Sequence, residues 1–215
     1  MYDTNKIREA ITEVVSEMQN QIKEYNGEIK VGVSQRHVHL SREDLNTLFG
    51  EGYELTVSKY LMGKEFASNE FVTLVGPSLK SIEKVRVLGP VRKNTQVEIS
   101  RTDTFTLKVS PPVRPSGDIK GSASLVLVGP KGTVYLKEGV IIANRHIHLT
   151  PQYALQQGIS DNDYVDVEVE GIKPTRFYDV QVRVRDDFNV EMHIDTDDAN
   201  SAALRNGARV RIIRK

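Results

Sequence analysis

One five-residue unit occurs twice in this chain, as Arg36-His37-Val38-His39-Leu40 and as Arg145-His146-Ile147-His148-Leu149. The copies start 145 − 36 = 109 positions apart and hold four of the five histidines. In extended strand, residues i and i+2 face the same side, so His-x-His sets two imidazoles side by side; a helix would point them nearly opposite ways. The β-branched residue between them and the apolar residues upstream favour strand. Each unit runs into a helix start. Ser41 is an N-cap with Asp44 three residues on, and Thr150 is an N-cap followed by Pro151, with Gly158 as the stop. The repeat therefore predicts strand, histidine pair and capped short helix, twice. A single His-x-His reads equally well as a hydrogen-bonded structural pair. Two in the same context, holding nearly all the histidine, favour a metal site.

Composition narrows the classes. Lys plus Arg balance Asp plus Glu at 29 each, so nothing predicts bulk attraction to nucleic acid or an acidic membrane. The chain has no cysteine, which removes disulfides, thiolate zinc ligands and a cysteine nucleophile together, and fits a reducing compartment. No apolar run approaches the ~20 residues that cross a bilayer, and no secretory signal core is present.

Residues 2–25 read as an amphipathic helix, with Ile7, Ala10, Ile11, Val14, Val15, Met18 and Ile22 at three- and four-residue steps and Asn26-Gly27 as the stop. That stripe either packs on the protein's own body or docks in a partner's groove. Residues 29–40 read as the first strand and first histidine pair. Further strands are expected at 53–60, 71–75, 84–88, 96–100, 104–109, 121–128 and 133–136. The last ones are expected at 162–169, 178–185, 190–194 and 210–213, with a helix from Asp195 or Thr196 to Leu204. Gly76-Pro77, Gly89-Pro90 and Gly129-Pro130 read as breaks. Short, evenly spaced strands outnumbering helices predict a mainly β fold of small closed or nearly closed barrels with short flanking helices, not alternating βα units.

A metal held by two histidines needs a third protein ligand. His193, the only other histidine, is the candidate for one pair; its competing reading is a lone hydrogen-bonded histidine. The other pair needs a carboxylate. Glu98 is attractive in mid-strand, but spacing alone leaves it one of many acids. Arg92 follows a Gly-Pro break, where its forked guanidinium would suit a phosphate-like anion or serve as an ordinary surface charge.

The two Arg-His-[Val/Ile]-His-Leu-[Ser/Thr] units, Gly89-Pro90-Val91-Arg92 and Pro112-Val113-Arg114-Pro115-Ser116-Gly117-Asp118 resemble the microcompartment-type phosphate propanoyltransferases over about residues 29–213. The resemblance implies two six-stranded-type β-barrels. The first is built from 28–35 and 144–215 and the second, with a small lid, from 36–143. Residues 1–27 would form a helix that targets a protein shell. It also implies two divalent metal ions, normally zinc. His37, His39 and Glu98 would hold one, and His146, His148 and His193 the other. Arg92 would be the phosphate-site arginine and catalytic residue. Coenzyme A would meet Ser34, Lys59, Arg86, Leu88, His193 and Asn200, with Phe105 an apolar contact. The implied reaction is acyl-CoA plus phosphate giving acyl phosphate plus CoA, with propanoyl-CoA or acetyl-CoA as donor. A homodimer, cytoplasmic and inside a bacterial microcompartment, completes the expectation, without nucleic acid or membrane as partner.

Two rivals stay open at this stage. A metal hydrolase also uses His-x-His, but on eight βα units and about 250 residues. A non-catalytic shell adaptor would use the metals only to staple two barrels.

Overall fold

The structure, a computed structural model, describes residues 7–8, 11–15 and 28–213. The strands are β1 (Glu28–Ser34), β2 (His37–Ser41), β3 (Val57–Tyr60), β4 (Phe66–Val75), β5 (Ser81–Arg92), β6 (Gln96–Glu98) and β7 (Val113–Arg114). They continue with β8 (Ala123–Val128), β9 (Thr133–Ala143), β10 (His146–Leu149), β11 (Tyr164–Val169), β12 (Thr175–Val184), β13 (Glu191–Asp195) and β14 (Arg209–Ile213). Among the described residues four short helices join them: α1 (Arg42–Phe49), α2 (Arg101–Leu107), α3 (Pro151–Gln157) and α4 (Thr196–Ser201). Among the described residues no helix is long and apolar enough to cross a membrane.

Two closed six-stranded barrels result. The first runs β1-β13-β10-β12-β11-β14 and back to β1. The second closes as β2-β5-β4-β8-β9-β6, with β3 added at β4 and β7 at β9. The fold is mainly β, as the spacing of short strands predicts. Each barrel has its own apolar core, one around Ile147, Leu149, Val167 and Met192, the other around Val38, Leu40, Val97 and Leu127.

The internal repeat is one of topology. β2 pairs parallel with β5 and antiparallel with β6, and β10 pairs parallel with β12 and antiparallel with β13. The helix after each histidine strand is capped as expected: Ser41 accepts from the Asp44 N–H, and Thr150 accepts from the Tyr153 N–H with Pro151 in the first turn.

Several expectations are corrected. The 29–40 stretch is two strands, not one: the chain bends at Gln35-Arg36, and β1 and β2 join different barrels. Residues 104–109 are not a strand. Ser100 and Asp103 form a reciprocal capping box, and the satisfied N-terminus of α2 outweighs the β-preference of Thr104, Phe105 and Thr106. The segment expected at 84–88 runs on through Gly89-Pro90 to Arg92. A side chain at Gly89 would meet the Phe66 ring at 2.1 Å, so that glycine serves close packing within a strand rather than a break. The strand expected at 53–60 is paired only from Val57. Of the N-terminal helix, residues 7–8 and 11–15 are helical, and Ile7, Ile11, Val14 and Val15 are exposed; the remainder of that expectation lies outside the described residues.

Candidate functional site

Alternation along the strands sets which residues face where. Val38 and Leu40 enter the core of the second barrel, so His37 and His39 point away from it. Ile147 and Leu149 do the same in the first barrel and turn His146 and His148 outward. On the neighbouring strands Val97 faces inward and Glu98 outward, and Met192 and Ile194 face inward while His193 faces outward. The outward faces meet. Ser34, His37, Glu98, Asn144, His146 and His193 line one narrow cleft of about 30 Å³ between the barrels. One histidine of each pair, His37 and His146, 109 residues apart in sequence, thus reaches the same cleft.

His37, His39 and Glu98 place one donor atom each within 4.8 Å of the others. His37 Nδ1 lies 2.8 Å from the Gln35 carbonyl. A carbonyl oxygen only accepts, so Nδ1 carries the proton and Nε2 keeps a lone pair. That Nε2 faces Glu98 Oε2 at 3.5 Å, two electron-rich atoms that need a proton or a cation between them. His39 is 2% exposed, and its Nδ1 is buried without a hydrogen-bond partner. These features fit a divalent cation: borderline nitrogen donors, one carboxylate and unspent lone pairs.

The second cluster is made of three histidines. The His146 and His148 rings lie 4.8 Å apart, and His193 lies 5.3 Å from the first and 4.8 Å from the second. His146 Nδ1 is held by the Asn144 carbonyl at 2.9 Å, the counterpart of His37 and Gln35. His148 stacks on Phe188 at 4.0 Å, and its Nδ1 sits 3.0 Å from Met62 Sδ. His193 Nε2 is buried without hydrogen-bond geometry to any partner, although Glu191 Oε2 is only 3.3 Å away.

Burial keeps most of these imidazoles neutral, the form that ligates. It pushes His39 down to about 2, helped by the charges of His37 and Arg92, and His148 down to about 2, helped by His146 and His193. His146 falls to about 4, again through burial, with the Asn144 carbonyl opposing. His37 goes the other way: burial lowers it, but the charge and hydrogen bond of Glu98 outweigh burial and the net shift is upward. Burial opposes ionisation of Glu98 as well, and His37 nonetheless holds it well below the usual carboxylate range.

The sign of the pH effect follows. For His39, His146 and His148 the native state refuses protons that the unfolded chain takes up below about 6.5, so stability falls as pH drops from there toward 4. The His37 contribution is complete below the ordinary value and is lost as pH rises through its raised value. Among these histidines three lowered groups outweigh one raised one. Metal-stripped protein should melt at a lower temperature at pH 5 than at pH 7.5, a comparison that thermal scans in chelator make directly.

Arg92, at the end of β5, donates to Glu65 Oε1 at 2.5 Å and to Ser116 Oγ at 3.2 Å. It borders a broad groove with Lys93, Asn94 and Lys120 rather than the cleft itself, though its charge reaches His39. The residues expected against coenzyme A are more dispersed. Ser34 and His193 line the cleft. Arg86 and Leu88 sit opposite His37 and His39 across β2 and β5, and the Arg86 guanidinium lies 4.4 Å over the Phe71 ring and donates to the Ser68 carbonyl. Lys59 is exposed on β3, and Phe105, 61% exposed, projects from α2. Asn200 is exposed on α4, which reaches α2 through the Thr102 N–H to Asp197 Oδ2 bond of 2.7 Å.

Sequence reasoning passed over several neighbours of the site. Gln96 was visible as the residue two before Glu98 on the same strand face. Glu65, Met62 and Phe188 arrive from loops, and no local pattern marks them; Ser116, also in a loop, lies in the Pro112–Asp118 motif but receives no role from it.

Comparison with known proteins identifies the family. The family model described as phosphate propanoyltransferase matches residues 30–205. A phosphate propanoyltransferase of Thermotoga maritima is 58% identical over 187 residues, 86% of this chain and 89% of that protein. One from Lachnoclostridium phytofermentans is 54% identical over 185 residues, 86% and 87% of the two chains. One from Enterococcus faecalis is 41% identical over 215 residues and the full length of both. With the doubled histidine strands, the two barrels and a match running nearly the whole described body, the chain belongs to the phosphate propanoyltransferase family, a family of acyltransferases.

Proposed function

We propose that this protein transfers an acyl group from an acyl-CoA, propanoyl-CoA or acetyl-CoA, to inorganic phosphate. The thioester C–S bond breaks, a C–O bond to phosphate forms, and CoA leaves as the thiolate. The observation that carries the reading is the convergence of His37, Glu98, His146 and His193 on one cleft in a chain of this family.

His37, His39 and Glu98 would hold one divalent ion and His146, His148 and His193 a second, zinc being the natural occupant for nitrogen-rich sites. Such ions, when bound, polarise a thioester carbonyl and offset the charge that gathers on its oxygen during attack. The chain's own groups do the rest. Phosphate is a poor nucleophile until it is held in line with the thioester carbon. Arg92 supplies a planar fork for its oxygens, and phosphate takes over the place that the Glu65 carboxylate holds on that guanidinium. Ser34, Lys59, Arg86, Leu88, Phe105, His193 and Asn200 form the proposed coenzyme A contacts. With no cysteine available, a cysteine acyl-enzyme is excluded, and direct transfer within a ternary complex is the simplest course.

Thiol release from propanoyl-CoA and acetyl-CoA, with and without phosphate and chelator, is the test. Release that needs phosphate and is lost in chelator supports the reading. Release without phosphate identifies a hydrolase, and no release a metal-stapled adaptor.

A homodimer inside a cytoplasmic microcompartment belongs to the same proposal. The exposed apolar residues Ile7, Ile11, Val14 and Val15 support a role for the N-terminal helix in docking to shell protein. Deleting residues 1–27 should leave thiol release intact and abolish co-sedimentation with shells; loss of folding would instead place the helix in the body.

A further inference from the structure

Each histidine pair fills two corners of a cross-strand square. Across β2 and β6, His37 faces Glu98 and His39 faces Gln96. Across β10 and β13, His146 faces His193 and His148 faces Glu191. Directly opposed residues share a face, and residues two apart keep it. Three corners of each square are the residues already named. The fourth corners are Gln96 and Glu191.

Gln96 is buried, yet both ends of its amide are engaged. Nε2 donates to Glu98 Oε1 at 2.6 Å and to Ser116 Oγ at 2.8 Å, and Oε1 accepts from the Gly117 N–H at 2.7 Å. The backbone N–H fixes the orientation, because only the amide oxygen accepts; the donor end must therefore face the carboxylate. Ser116 Oγ accepts in turn from Arg92 Nη1 at 3.2 Å. An apolar side chain of the same size would fill this position without needing any partner, so the polar partners, not the volume, explain a glutamine here. The amide occupies Oε1 of Glu98 and leaves Oε2 as the oxygen turned to His37. At the equivalent corner Glu191 also lies beside the residue two positions on, its Oε2 3.3 Å from His193 Nε2.

We infer that Gln96 is a positioning residue that holds the Glu98 carboxylate and the Ser116-Gly117 turn in one register, and so sets the spacing between the metal-ligand face and Arg92. This rests on the phosphate acyltransferase reading of the site. Gln96 acts through Glu98 and Ser116 rather than on substrate.

Gln96→Leu in the full chain is expected to raise the phosphate KM by about 10- to 100-fold, with the acyl-CoA KM held within about twofold, and to lower the zinc retained after dialysis against chelator. Ser116→Ala, which removes the acceptor that Arg92 and Gln96 share but keeps the Gln96–Glu98 bond, should raise the phosphate KM about tenfold and lower zinc retention less than Gln96→Leu does. Equal rises in both KM values overturn the inference, as do a wild-type phosphate KM and wild-type zinc retention in Gln96→Leu. If Gln96→Leu does not fold, Ser116→Ala decides, and an unchanged phosphate KM there overturns it. Wild-type protein that releases no thiol in response to phosphate overturns the functional reading instead, and zinc retention then still judges Gln96.

Discussion

Replacing His37 with alanine is expected to lower phosphate-dependent thiol release by about a hundred- to a thousandfold. The site itself explains the size. His37 is one of three donors gathered within 4.8 Å, and its Nε2 is the group that faces Glu98. Its removal leaves a buried carboxylate without the partner that holds it ionised. The variant should therefore lose bound metal as well as activity, and Glu98 should take up a proton at higher pH than in the parent. Elemental analysis of metal per chain, thiol release and a melting curve separate the two losses. Activity within about tenfold of the parent, with metal retained, would contradict the assignment of His37.

Arg92→Ala carries the second large effect. Hydrogen bonds to a charged partner are worth about 1.5–3 kcal/mol, so losing the fork should raise the phosphate KM by about a hundredfold while the acyl-CoA KM changes little. Arg92→Lys should recover only part of the loss. A lysine brings the charge as a compact point and cannot reproduce the paired donors that here reach Glu65 and Ser116. Steady-state kinetics with each substrate varied in turn distinguishes the outcomes. A matching rise in both KM values would move Arg92 from the anion site to a general structural role.

Much of the local structure could be read from the residues alone. The strand character of both histidine units, the shared face of their imidazoles and the caps at Ser41 and Thr150 all follow from short-range physics: alternation along a strand and side-chain oxygens that satisfy helix N–H groups. Where the reading failed, a second local signal had been outweighed. Thr104, Phe105 and Thr106 have β-preference, but the Ser100–Asp103 capping box sits just ahead of them and nucleates α2. Gly89-Pro90 resembles a break because glycine and proline usually are one; here β5 passes through, and the Phe66 ring takes the space a side chain would need. The single strand expected over 29–40 fails for a different reason. Its first half pairs with β13 and β14 and its second half with β5 and β6, and such partner choice leaves no mark in a continuous run of strand-forming residues.

By itself, the order of residues determined that two histidine pairs would each share one face of a short strand, each followed by a capped helix, because those outcomes depend on neighbours a few positions away. Only the tertiary structure decided that the two faces look into one cleft, that Gln96 completes the square beside Glu98, and that Glu65 arrives on Arg92 from a separate loop. Barrel closure brings together residues dozens to more than a hundred positions apart. The pairing that accomplishes it is stabilised by long-range backbone hydrogen bonds and by two separate apolar cores, neither of which any short window of sequence contains.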